Sequence, residues 1–268
     1  MTALFSLWPG TPKFSLRREE ALVATLALCK ASTHMDAELH TDEFGGAIAH
    51  ELGWNKALPR TYLTLSSLET FAPLESWSYG KLYALSRVNR PAVHVDLDVI
   101  LHKPLPERLL KGSLIAQSID LPDHYRSDDI AVCIETCGLT YNGRAYNAGL
   151  LGGSDVHHVQ AYAQFGMDVA ECFRGSGLDP TACSMVSEQF ALGYYCELNK
   201  VKVETLFHGL PTPKQATEFG YTHLIGKAKR NPLYVSGVER ILGQEFPEAL
   251  ERLNAGWAVL DSAIHSFA

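Results

Sequence analysis

The sequence predicts an α/β fold: a mostly parallel central sheet flanked by helices, with a helical C-terminal segment. Two observations carry this. Short apolar runs alternate with amphipathic stretches through the first 105 residues, punctuated by Gly, Pro and Asp. The resulting order of strand, helix, strand, helix, strand, helix, strand is that of a parallel sheet covered on both faces. The chain has 268 residues, of which 46% are hydrophobic and 20% charged, enough for one domain with a sizeable core.

Thr2 to Trp8 reads as the first strand, and Pro9-Gly10 turns the chain. Ser15 is placed to cap a helix reaching about Ser32, with Leu22, Val23, Leu26 and Cys29 on one stripe. Ala37 to Thr41 is a short strand ended by Asp42. Glu43 to Leu52 is helical and stops at Gly53, a usual left-handed cap. Thr61 to Leu65 is a third strand, and Trp77 to Val88 an amphipathic helix that delivers the chain to Pro91.

From Pro91 the sequence runs Ala-Val-His-Val into Asp96-Leu97-Asp98. Pro91 opens this strand where a missing N–H is tolerated. On extended backbone the two aspartates point to one side. Paired there, they would repel unless a divalent cation lies between them, and their hard oxygens suit manganese or magnesium. An isolated Asp-x-Asp is also met as a solvated turn in which one Asp caps the next segment. The apolar run before it and Ile-Leu-His-Lys-Pro-Leu after it favour a site.

The second half is less regular. Leu114 to Ile119 is a strand, followed by a polar loop from Asp120 to Asp129. Tyr146 to Gly153 is a strand broken by glycines, then comes a helix from about Ser154 to Phe173. A further helix from Cys183 to Tyr195 carries Glu188 and Gln189, and Val201 to Phe207 is a strand. The end is helical from Val238 onward.

The net charge of −7 argues against broad nucleic-acid binding while leaving room for a local basic pocket. Cys133 and Cys137 invite a zinc reading, but no second pair follows at suitable spacing. Free thiols of a reducing, cytoplasmic compartment fit the six cysteines better. No apolar run reaches the ~18 residues of a membrane span. The start lacks a basic n-region and a cleavage site, so no signal peptide is read there.

His223-Leu-Ile-Gly226-Lys-Ala-Lys229 is the other candidate segment. A neutral imidazole can complete a metal site, Gly226 permits close backbone approach to a ligand, and Lys229 can meet a phosphate. A surface turn with solvated lysines is the alternative. Asp-x-Asp paired with His-x-x-Gly-x-x-Lys resembles the nucleotide-sugar glycosyltransferases of the GT-A fold, most of all the retaining, glycogenin- and galactosyltransferase-like group. The resemblance extends to about residue 232. It implies a divalent cation, usually Mn2+, on Asp96, Asp98 and His223, and a donor diphosphate contacted by Lys229 beside Gly226. It implies one domain over 1–268: a nucleotide-binding half (1–105), an acceptor and metal-closing half (106–235) and a helical tail (236–268). The partners implied are a nucleotide-sugar, by expectation a UDP-sugar, and an acceptor glycan, lipid or protein. The family's lysine is normally followed by Pro-Trp; here Arg230-Asn231-Pro232 follows.

Lys81 is within reach of a phosphate or of Asp96, or is a helix-surface lysine. Asn147 and Gly149 suit a sugar ring, or form a structural bulge. Glu188 and Gln189, mid-helix among Met185, Phe190 and Leu192, are either solvated or aimed at a site; they resemble the Asp-Gln pair beneath the sugar in the retaining group, which would give them the catalytic positions. Trp8 and Asp42, at the ends of the first strands, are candidates for base and ribose. Two other functions compete. A haloacid-dehalogenase-like phosphohydrolase would use Asp96 as nucleophile and Asp98 as acid, but it gives the His-x-x-Gly-x-x-Lys segment no purpose. A non-catalytic nucleotide- or glycan-binding protein on the same fold is the other.

Overall fold

The computed structural model describes residues 1–10, 16–58, 60–68, 76–120, 128–140 and 144–266, without the side chains of 261–266. Seven strands form one sheet in the order β3-β2-β1-β4-β7-β6-β8. They are β1 (Thr2–Leu7), β2 (Ala37–Thr41), β3 (Arg60–Tyr62), β4 (Ala92–Val95), β6 (Leu114–Asp120), β7 (Ala145–Gly153) and β8 (Val203–Phe207). All neighbouring pairs are parallel except those that β7 makes with β4 and β6. The predicted fold class is what the chain adopts.

Alternation along the strands assigns the two faces. Ala3, Phe5 and Val93 face one apolar cluster with Leu22, Leu26 and Leu28 of α1 (Arg18–Ser32). Leu4, Ala92 and Leu151 face the other, with Leu82 of α4 (Ser78–Ser86) and Tyr162 of α7 (Val156–Glu171). Both sides of the sheet are therefore dry, which is why these strands carry near-continuous apolar runs.

Chain order runs outward from β1 to β2 and β3 on one side, then returns to β4 on the other. The crevice beyond the carboxyl ends of β1 and β4 is thus a topological switch point, the place where open α/β sheets bind ligands. Trp8 follows β1 and Asp96 follows β4.

Several elements differ from expectation. Ser15 lies outside the described residues; α1 starts at Arg18, where Glu20 accepts the Arg17 backbone N–H at 3.2 Å. The third strand is shorter, and Thr64–Ser67 form a 3-10 turn. Asp120 ends β6, residues 121–127 of the expected polar loop lie outside the described residues, and Asp128–Thr136 form helix α6. The helix expected from Cys183 is α8 (Pro180–Met185), a π turn over Val186–Phe190 and α9 (Ala191–Asn199). The C-terminal helices begin at Pro232, not Val238: α11 (Pro232–Glu245) and α12 (Pro247–Ser266). The first of them, α11, is fastened to α1 by Arg18–Glu239 (2.7 Å) and Lys30–Glu245 (2.6 Å) ion pairs. No helix among the described residues is long and apolar enough to cross a membrane.

Candidate active site

A small second sheet assembles the site. β5 (Val99–Leu101) and β9 (Tyr221–His223) pair antiparallel, with Val99 opposite His223. The Leu224 N–H donates to the Asp98 carbonyl at 3.0 Å, extending that pairing by one step. This register delivers a residue from far along the chain to the aspartates. Asp96 and Asp98 themselves lie in a turn, closed by Val99 N–H on Asp96 O (2.9 Å), and not on extended backbone as expected. Their convergence with His223 is real all the same: one ligand atom from each lies within 4.8 Å of the others.

The Asp98 carboxylate is 3.3 Å from His223 Nε2 through Oδ1 and 2.9 Å from Lys229 Nζ through Oδ2. Burial works against its charge, but His223 and Lys229 overcome this and hold its carboxyl well below the usual carboxylate range. Lys229 is therefore not a solvated surface lysine. Gly226 sits at φ +57, the left-handed region, with nothing within 4 Å of a built Cβ. A side chain there would strain the backbone while meeting no neighbour.

Behind Asp96 lies Lys81, 4% exposed, on the buried face of α4 and not on its surface. Its ammonium reaches Asp96 Oδ1 (2.6 Å) and Glu188 Oε1 (2.7 Å) and donates to Ala148 O (3.0 Å). The ammonium thus sits between two carboxylates and a backbone carbonyl. Burial alone would lower its pKa; Asp96 and Glu188 more than reverse that and raise it, so Lys81 stays charged. Glu188 is pushed up to about 7, first by burial and then by the Asp96 charge, against the pull of Lys81. One cation is shared between two carboxylates, and the wetter Asp96 keeps the greater part of it.

Glu188 and Gln189 stand on the π turn, a wide turn that recurs at functional sites in helices. Tyr162 Oη donates to the Glu188 carbonyl (2.8 Å), and Ser187 Oγ meets Ser78 Oγ (3.0 Å), tying the turn to α7 and α4. Gln189 is 9% exposed, and its Oε1 has no hydrogen-bond partner among the described residues.

Because Glu188 has a raised folded pKa, it favours folding at low pH and loses that contribution as pH rises through about 7. Glu188→Gln lacks this dependence. In chelator, the stability of the parent relative to Glu188→Gln is expected to fall by ~1–3 kcal/mol between pH 5 and 8, at 1.36 kcal/mol per pKa unit. Urea unfolding at several pH values measures it; parallel profiles would refute the raised pKa.

β7 carries a bulge against β6: Ala116 pairs with Leu151 but Ser118 with Asn147. Bulges of this kind re-aim side chains next to sites. Asn147 Oδ1 accepts the Gly149 N–H at 3.0 Å, so Asn147 builds the bulge. A Cβ on Gly149 would lie 2.3 Å from Gln117 Oε1 and 2.7 Å from His223 Cε1, so only glycine leaves room there.

Trp8 packs over Tyr79 and the Cα of Gly80, and Asp42 caps α2 (Glu43–Glu51). Asp42 Oδ1 accepts from Gly45 N–H (2.8 Å) and Oδ2 from Gly10 N–H (2.7 Å), a job in shaping the loop after β1. Of the residues singled out from sequence, Asp96, Asp98, His223, Lys229, Lys81 and Glu188 form one connected charge network. Asn147 and Gly149 shape its wall.

Three members went unread. His94 is buried, with Nε2 2.8 Å from Ser6 Oγ and Nδ1 3.5 Å from Asp96 Oδ1; burial and then Lys81 keep it neutral. Tyr221 Oη donates to Gln117 Oε1 (2.6 Å), which lies 2.7 Å from His223 Nδ1. The signals existed: His94 and Tyr221 stand two residues before Asp96 and His223, and Gln117 interrupts an apolar strand.

Over residues 22–255 the chain matches the model of DUF6734, a family of unknown function, and it belongs to that family. Among curated proteins none matches it by sequence. A solved structure of the galactosyltransferase LgtC, in complex with donor and acceptor sugar analogues, aligns at a TM-score of 0.48 and 12% identity, over 94% of this chain and 95% of that one. An active-site mutant of LgtC aligns at 0.51 and 13% identity, over 91% and 96%. At that identity the likeness establishes the fold, which is GT-A-like.

Proposed function

We propose that this chain is a glycosyltransferase that takes a sugar from a nucleotide-diphospho-sugar, with a divalent cation held by Asp96, Asp98 and His223. The observation that carries the reading is the meeting of these three side chains at the switch-point crevice, on a GT-A-like fold. The donor set fits the ion: two carboxylates and an imidazole whose Nδ1 already has a partner in Gln117. A cation bound there would neutralise charge on the leaving diphosphate.

The protein's own groups do the rest. Lys229, now on Asp98, would turn to a phosphate oxygen of the donor, and the open left-handed turn at Gly226 leaves that segment room to approach it. Lys81 keeps Asp96 and Glu188 in place from behind. The unpartnered Gln189 Oε1 offers an acceptor to a sugar hydroxyl, with Glu188 next to it. Trp8 and the loop shaped by Asp42 flank the crevice where the base and ribose would lie. A UDP-sugar donor and retention of anomeric configuration complete the proposal, both by resemblance. Release of UDP from a panel of UDP-sugars, with Mn2+ and with chelator, tests it. No Mn2+-dependent binding or turnover with any nucleotide-sugar would sink it.

Lys229 separates phosphate from base recognition. Lys229→Ala should weaken UDP binding by one to two orders of magnitude at saturating Mn2+, the equivalent of a charge-assisted contact of ~1.5–3 kcal/mol. Uridine, which offers the ammonium no partner, should bind both proteins alike. Calorimetry at one ionic strength makes the comparison, and equal losses for both ligands would withdraw the phosphate role.

A further inference from the structure

The imidazole of His223 has two ends, and the chain controls one of them. Nδ1 lies 2.7 Å from Gln117 Oε1, while Nε2 faces Asp98. A carbonyl oxygen can only accept, so it keeps a proton on Nδ1, and Nε2, which meets Asp98 in the metal-free protein, is the nitrogen a cation would take. Gln117 is itself fixed. It is 1% exposed, Tyr221 Oη donates to the same oxygen at 2.6 Å, and the β7 bulge at Gly149 makes the space it occupies. Tyr221 and His223 are two apart on β9 and so present their side chains on one side, toward one acceptor. Were the amide turned over, its NH2 would point at Nδ1, force the proton onto Nε2 and block the cation position.

We propose that Gln117 is a positioning residue that fixes the His223 ring and its Nδ1–H tautomer, and thereby sets the cation affinity of the site. This rests on the cation reading given above. A hydrogen-bond partner behind a ligating histidine is commonly worth 10–100-fold in metal affinity.

The experiment measures Mn2+ binding by the electron-paramagnetic-resonance signal of the free ion. The proteins are the parent, Gln117→Leu, Gln117→Glu, His223→Ala and the double variant Gln117→Leu with His223→Ala. The four variants and a matched reference carry Tyr221→Phe, so that none leaves the Tyr221 hydroxyl buried and unpartnered, and the parent keeps Tyr221. Gln117→Leu should weaken binding about 10–100-fold, and Gln117→Glu, which as a carboxylate keeps the acceptor and has no donor, should bind at least as well as the reference at a pH where it is ionised. In the His223→Ala background Gln117→Leu should add nothing, because its effect passes through that ring. A full extra loss in that background, no loss for Gln117→Leu alone, or equal damage from Gln117→Glu would each overturn the proposal.

A metal-free crystal structure of Gln117→Leu supplies a second readout. The His223 ring should leave its place beside Asp98, and an unmoved ring would overturn the proposal whatever the binding data say. Should the parent take no Mn2+ at all, the cation reading falls and with it the affinity claim, while the structure still decides whether Gln117 holds the ring.

Discussion

Asp98→Asn is expected to abolish Mn2+-dependent binding of UDP and of UDP-sugars while leaving the fold in place. An amide keeps the shape of the side chain but removes the negative charge, and Lys229 then stands beside the site with no anion to offset it. Loss of a ligand should exceed the 10–100-fold typical of changes behind a ligand, so at least about 100-fold is expected. The fold should survive because Asp98 lies in a turn at the rim, held by backbone bonds from Val99 and Leu224 that the substitution leaves alone. Acid stability should change in a defined way. The Asp98 carboxyl is held below its ordinary value in the folded protein, so its contribution is present above pH ~4 and lost as pH falls below that. The variant lacks that loss. Calorimetric titration of UDP at fixed Mn2+, with circular dichroism as the check on folding, decides the matter; unchanged affinity would remove Asp98 from the cation site.

The convergence of Asp96, Asp98 and His223 was legible because the two motifs, in that order, resemble those of a family whose cation they hold. How they meet was not legible. β5 and β9 are each 3 residues long, too short for a period-2 pattern to declare them, yet their pairing sets His223 opposite Val99. The geometric reason given for the two aspartates, one side of an extended strand, fails because the strand ends at Val95 and a turn follows. The π turn under Glu188 and Gln189 is invisible to periodicity, since apolar residues on both sides of it still read as one continuous helix.

Burial explains the other gaps. Lys81 and Glu188 are read from sequence as helix positions open to solvent or to a site, and only the packing of α4 against α7, β1 and the π turn shows that both are inside. Asn147, by contrast, does the structural job left open for it, closing the bulge at Gly149. The break with the family pattern after Lys229 has a local account too: Asn231 Oδ1 accepts the Leu233 N–H (3.0 Å) and Pro232 takes the first turn of α11. Where relatives of the resembled group carry Pro-Trp, this chain starts a helix that is fastened to α1.

Lys81→Met is expected to cause the largest loss of stability of any change in the site. The ammonium is buried and contacts Asp96, Glu188 and the Ala148 carbonyl at 2.6, 2.7 and 3.0 Å. Methionine matches the length and apolar stem of the side chain but leaves two carboxylates facing one another without a cation. Removing one member of a buried ion pair costs about 3–5 kcal/mol. Part of that is relieved when Glu188 takes up a proton, which burial favours the more once Lys81 no longer holds its pKa down, so the loss should be smaller at pH 5 than at pH 8. The double variant Lys81→Met with Glu188→Gln should recover most of the stability at pH 8, because the uncompensated buried charge is then gone. Donor binding should not recover with it, since Asp96 has still lost the group that holds its carboxylate toward the cation. Urea unfolding at the two pH values and UDP calorimetry on the same three proteins separate the outcomes. A single variant as stable as the parent at pH 8, or a double variant no more stable than the single, would show that Lys81 does not carry the charge balance assigned to it.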